Sequence, residues 1–108
     1  MIKIDLLIFI KPAVSEKRIV CYYTNWSQYR PEGGKYFPEN IDPKICTHVI
    51  FAFAKLENNK LSAFEWNDED TDWSQGMYSR MMALKKQNSA LKVSLAVGGW
   101  NVGPGKMI

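Results

Sequence analysis

The chain has little from which to build a metal centre. Its 108 residues include one histidine, His48, and two cysteines, Cys21 and Cys46, and two thiols need imidazole or carboxylate help to complete a zinc site. No stretch reaches the roughly 18 consecutive apolar residues of a membrane-spanning helix. Nor is there a dense basic run. The net charge of +3 comes from Lys and Arg scattered along the chain, which argues against nucleic acid or an anionic membrane as partner. Disorder is excluded from the other side, since 46% of the residues are hydrophobic and 23% charged. What the chain does have is aromatic surface, including four tryptophans. Indoles are costly to leave exposed unless something flat and partly apolar stacks on them.

Residues 1–17 pose a targeting question. Met1-Ile2-Lys3 leads past Asp5 into Leu6-Leu7-Ile8-Phe9-Ile10, and small residues follow at Ala13-Val14-Ser15. A secretory leader needs a basic start, an apolar run of about 7–15 residues and small residues at the cut. The run here is short and Asp5 interrupts its approach, so a signal peptide and an irregular N-terminus both stay open. Cys21 and Cys46 likewise admit two readings. If the protein is exported they form one disulfide, which the chain-entropy account values at about 3.5 kcal/mol; in a reducing compartment they are two buried thiols.

Three stretches read as strands. Ile19-Val20-Cys21-Tyr22-Tyr23-Thr24 is rich in β-formers and empties into the polar, aromatic loop Asn25-Trp26-Ser27-Gln28-Tyr29-Arg30. Asn25-Trp26-Ser27 also matches a glycosylation acceptor, a loose motif that chance explains better here. Asp42-Pro43-Lys44-Ile45 suits a single helical turn. The second strand, residues 47–54, is apolar on both parities after His48, with Val49, Phe51 and Phe53 on one face and Ile50, Ala52 and Ala54 on the other. His48 itself, at the strand's start, reads as structural. The third strand runs through Leu91-Lys92-Val93-Ser94-Leu95-Ala96-Val97 into Gly98-Gly99-Trp100-Asn101, where the glycines permit a sharp turn or a close approach.

Between the second and third strands, Met77, Met81 and Leu84 recur at helical spacing, with Ser74 as the expected N-cap and Asn88 as the expected residue just past the end. Upstream, Asp68-Glu69-Asp70-Thr71-Asp72 opens like a calcium loop, but Trp73 and Ser79 stand where that loop needs Gly and Glu. A solvated acidic approach to a helix N-terminus is the simpler reading. Strand, turn, strand, helix, strand is a βαβ progression, and its default is a right-handed crossover into a parallel sheet. Three such strands leave open edges and an uncovered face. They amount to about the first 90–100 residues of an eight-stranded barrel domain of about 250.

Four segments in this order resemble the family-18 glycoside hydrolases: Cys21-Tyr22-Tyr23-Thr24-Asn25-Trp26, residues 46–54, Glu65-Trp66-Asn67-Asp68, and Leu95-Ala96-Val97-Gly98-Gly99-Trp100-Asn101. The likeness covers about residues 18 to 105 and is greatest to animal chitinases and their non-catalytic chitinase-like lectin relatives. It implies an α/β fold, the first three parallel strands and intervening helix of a TIM (β/α)8 barrel, with residues 18–108 as a truncated N-terminal portion. It further implies secretion, a Cys21–Cys46 disulfide, and chitin or chitooligosaccharides (β-1,4-linked N-acetylglucosamine polymers) as ligand, with no cofactor and no metal. Oligomeric state stays open.

By the same resemblance Tyr22 lies inside the barrel, Phe53 lines its floor after a cis peptide bond at Ala52–Phe53, Trp26 and Trp66 stack on sugars away from the cut, and Gly99, Trp100 and Asn101 border the scissile bond. Sugar rings present a C–H face well matched to an indole, so a line of tryptophans suits a linear polysaccharide. The family's catalytic Asp-x-x-Asp-x-Asp-x-Glu motif, whose Glu protonates the leaving oxygen while the substrate's acetamido group attacks, is not among the 108 residues. No catalytic residue is therefore expected in this chain. Either the parent is a hydrolase whose acid lies in further sequence, or it is a lectin that binds without cleaving.

Overall fold

A computed structural model describes residues 17–99. Three parallel strands, β1 (Val20–Thr24), β2 (His48–Glu57) and, completing the crossover, β4 (Lys92–Val97), share one sheet in which β2 is central. The element between, β3 (Lys60–Ala63), pairs antiparallel with the far end of β2. This hairpin is additional to the three expected strands, and it lengthens the second strand beyond Ala54. Its two-residue turn is Asn58-Asn59, both in the left-handed region at φ 54° and 63°, as a type I′ turn requires. A pair of asparagines between Leu56-Glu57 and Lys60-Leu61 is the local signal for that turn.

The helix α1 (Met77–Met82) continues as a 3-10 turn over Ala83–Lys86 and ends at Gln87. It begins one residue after Gly76, not after Ser74. The Gly76 N–H donates to Asp70 Oδ1 at 2.7 Å, and the Ser79 hydroxyl donates to Asp70 Oδ2 at 2.9 Å. The cap is thus supplied from six residues upstream, and Ser74 is occupied in a bridge with Thr71. Asn88 is not left-handed. Its side-chain oxygen accepts from Ala90 N–H, while its amide donates to the Pro43 carbonyl at 2.8 Å and ties the helix end to the turn before β2.

Register separates the two faces of the sheet. Cys21, Val49 and Val93 lie in one row and Tyr23, Phe51 and Leu95 in the next. On this side Tyr23, Val49 and Phe51 join Met77, Met81, Leu84 and Leu91 in the core. Phe51 meets the Tyr78 ring edge-on at 4.9 Å, and the Tyr23 hydroxyl reaches Met77 Sδ at 3.9 Å. Each large side chain buried this way contributes about 1.5–3 kcal/mol. The opposite face carries Val20, Tyr22, Ile50 and Ser94, and Tyr22 is 63% exposed there while its neighbour Tyr23 is 1% exposed.

Alternation along β2 breaks at Phe53. The Ala52–Phe53 peptide is cis, and the pairing with β4 skips from Ala52–Ala96 to Ala54–Val97. The bulge re-aims the Phe53 side chain, so it does not share the Val49 and Phe51 face as strict period-two reading expects. Cys21 and Cys46 are joined, with Cα atoms 6.0 Å apart. No helix among the described residues is long and apolar enough to cross a membrane.

Candidate functional site

At the C-terminal ends of the parallel strands the backbone opens into a cleft of about 440 Å³. Asn25 and Trp26 enter it from the loop after β1, Phe53 from the bulge in β2, Phe64 and Glu65 from the loop after β3, and Gly98 and Gly99 from the end of β4. In α/β barrels this is the end where strand termini present chemistry. Phe53 stacks on Trp26 with ring centroids 5.7 Å apart and planes 17° from parallel. Gly99 makes the stack possible from below: at φ +95° it sits so close to Phe53 that a Cβ would meet the ring at 3.0 Å.

The loops bearing Trp26 and Trp66 are joined by buried polar contacts. Asp68 is fully buried, and its Oδ2 accepts from Asn25 Nδ2 at 3.2 Å and from the Glu65 N–H at 2.9 Å. Its Oδ1 finds no partner among the described residues. Burial pushes the Asp68 carboxyl above the usual carboxylate range, against the pull of those donors. Gln28 and Asn67 exchange amide hydrogen bonds at 2.7 and 3.3 Å. The Tyr29 hydroxyl donates to Glu65 Oε1 at 2.6 Å, a hydrogen bond that raises its own pKa.

Of the residues expected at a ligand site, Trp26, Phe53 and Gly99 come together in the cleft. Trp66 does not line the cleft; it follows the lining residue Glu65 and is 75% exposed. Tyr22 lies on the open sheet face, three residues before the cleft loop begins at Asn25. Trp100 and Asn101 fall outside the described residues. Asn25, the candidate glycosylation acceptor, is buried and bonded to Asp68, so its amide is inaccessible to a modifying enzyme in the folded protein. His48 shares a 2.8 Å contact with the Thr47 hydroxyl at the far end of β2, away from the cleft.

Asp68 corrects the reading of residues 68–72 as a solvated approach to the helix. Heading an acidic run, it looks like a surface residue, and its partner Asn25 is 43 positions away. Nothing local marks the pair. Asp70, in contrast, is exposed and does serve the helix N-terminus, with its carboxyl held below the ordinary range by the Gly76 N–H and the Ser79 hydroxyl.

The family model for glycosyl hydrolases family 18 matches residues 18–105. The chain belongs to that family. It is 54% identical over 84 residues to an endochitinase of Brugia malayi, an alignment covering 77% of this chain and 17% of the relative. Among solved structures it superposes on an immunomodulatory active chitinase from Trichuris suis with a TM-score of 0.75 and 42% identity, covering 84% of this chain and 24% of that one. Human YKL-39, described as a pseudo-chitinase with retained chitooligosaccharide binding properties, matches with a TM-score of 0.73 and 40% identity over 85% of this chain and 24% of its own. The chain thus spans less than a fifth of the length of the Brugia endochitinase. Within family 18 the described residues are three parallel strands and the intervening helix of an incomplete TIM (β/α)8 barrel.

Proposed function

We propose that this chain supplies part of the polysaccharide-binding wall of a secreted chitinase-type glycoside hydrolase, with residues 18–108 as the N-terminal portion of its barrel and residues 1–17 as a leader or an irregular N-terminus. The observation that carries the reading is the Trp26–Phe53 stack at the strand ends. Phe53 covers one side of the indole, and Trp26 remains 45% exposed. A flat apolar ring, fixed from behind and open in front, suits the C–H face of a sugar. Trp66, next to the cleft residue Glu65, offers a second exposed indole, and Trp100 and Asn101 follow Gly99 in the sequence. Tyr22 faces the barrel interior, where hydrolysis by attack of the substrate's own acetamido group takes place in this family's scheme. The disulfide supports an oxidising compartment.

The acid that protonates the leaving oxygen is not among these 108 residues, so the polypeptide alone does not cleave. Hydrolysis of an N-acetylglucosamine tetramer by purified 108-residue polypeptide would overturn that statement. For the binding wall, Trp26→Ala in the protein that carries this chain weakens tetramer binding about tenfold in calorimetry, since a stacked ring contributes on the order of 1–2 kcal/mol. Unchanged affinity refutes it. A second reading, a lectin, is favoured by the likeness to a pseudo-chitinase that keeps oligosaccharide binding. It differs by one outcome: the protein carrying this chain then binds the tetramer and leaves it intact.

A further inference from the structure

The cleft has two walls drawn from distant parts of the chain, residues 24–29 and residues 64–68. The first wall is a 3-10 turn, Asn25–Tyr29, and residues 64–68 belong to no helix or strand. Sheet hydrogen bonds therefore do not set the distance between them. Asp68 ends the second segment, fully buried, and its Oδ2 is shared by the Asn25 amide from the first segment and the Glu65 backbone N–H from its own. Asn25 adjoins Trp26, and Glu65 adjoins Trp66.

We propose that Asp68 is a positioning residue: through the single acceptor oxygen Oδ2 it locks the Trp26 loop to the Trp66 loop and sets the spacing at which the two indoles meet successive sugar units. The inference rests on the reading of the cleft as a sugar site. A buried carboxyl is costly, and an apolar side chain of similar size would fill the same space without that cost. What an apolar residue could not do is hold two donors from two loops. A wall that is ordered before the ligand arrives does not have to be ordered by it, and affinity rises accordingly. The reciprocal Gln28–Asn67 amide pair adds a second tie between the same two loops. Burial of Asp68 disfavours its charge, but an acceptor oxygen remains in either protonation state, so the tie depends on the oxygen and not on the charge.

The test compares Asp68→Ala with Asp68→Asn in the protein that carries this chain, using an N-acetylglucosamine tetramer as probe. The Asn side chain keeps an oxygen for both donors. Among folded variants, Asp68→Ala is expected to lose about tenfold or more in affinity, and Asp68→Asn to stay within about threefold of the unmodified protein. Asp68→Ala binding like the unmodified protein overturns the proposal, and so does Asp68→Asn failing as badly as Asp68→Ala. Should Asp68→Ala not fold, Asn25→Ala cuts the same hydrogen bond from its other end. It is expected to show the same loss, and undiminished binding refutes the tie. Failure of the unmodified protein to bind the tetramer would sink the sugar reading instead. The positioning role is then read without ligand, from the indole N–H resonances of Trp26 and Trp66. Both should move in Asp68→Ala and hold in Asp68→Asn; unmoved resonances in Asp68→Ala overturn the role.

Discussion

At Gly99 two demands fall on one residue, a backbone at φ +95° and a ring 3.0 Å from where a Cβ would be. Either alone makes a side chain costly; together they leave alanine nowhere to go. Gly99→Ala is expected to destabilise the protein by about 1–3 kcal/mol, the cost of a strained non-glycine position, seen as a lower thermal midpoint. A midpoint unchanged within a degree would show that Phe53 moves freely. Asp68 makes a different demand. Its carboxyl pKa is raised above the ordinary 3.8 because burial disfavours the charge, so between the ordinary and the raised value the folded state binds the proton more tightly than the unfolded chain does. Stability from this group is therefore largest at low pH and declines as pH rises through that window. Asp68→Asn removes the decline, so its stability advantage over the unmodified protein grows from pH 4 toward neutrality in denaturant titrations. An advantage that shrinks over that range would contradict the burial of the charge.

Elements are held to one another by a few long-range ties. The disulfide joins β1 to the segment before β2 across 25 positions. Replacing both cysteines with alanine is expected to cost about 3.5 kcal/mol by the loop-closure account, measured as a shift in the denaturant midpoint. A loss below about 1 kcal/mol would mean that the reduced chain keeps these strands together. Arg80 on α1 makes a forked ion pair with Glu39 and lies 5.3 Å over the Phe37 ring. The pair holds the Glu39 carboxyl below its ordinary range and fixes the helix against the turn beneath it. The helical stripe Met77, Met81 and Leu84 was legible because apolar spacing reports packing directly. The cap was not: Asp70 reaches Gly76 through a folded-back loop, and Ser74 offered the better local signal. The hairpin carried its own signal in Asn58-Asn59, which the long apolar run before it masked.

On the scale of the whole molecule, one face of the sheet is packed and the other is not. Tyr22 and Val20 on the open side are 63% and 48% exposed, whereas Tyr23, Val49 and Phe51 on the packed side are buried. Apolar surface left uncovered on a sheet drives association. The 108-residue polypeptide alone is expected to bind a hydrophobic dye and to self-associate in size-exclusion chromatography. A monomeric radius with a cooperative thermal transition would show that the open face is tolerated.

Short apolar runs rich in β-formers, a helical stripe and paired glycines after an apolar run are local patterns, and from them the sequence by itself determined the α/β order and the parallel crossover. Its motifs also determined the family, because four short segments in register are hard to meet by chance. Tertiary structure alone decided the rest. Phe53 left its expected face when the bulge slid the pairing of β2 with β4. Asp68 became a buried tie once the fold brought Asn25 beside it from 43 positions away. Both depend on which distant backbone lies alongside, and no window of neighbouring residues carries that information.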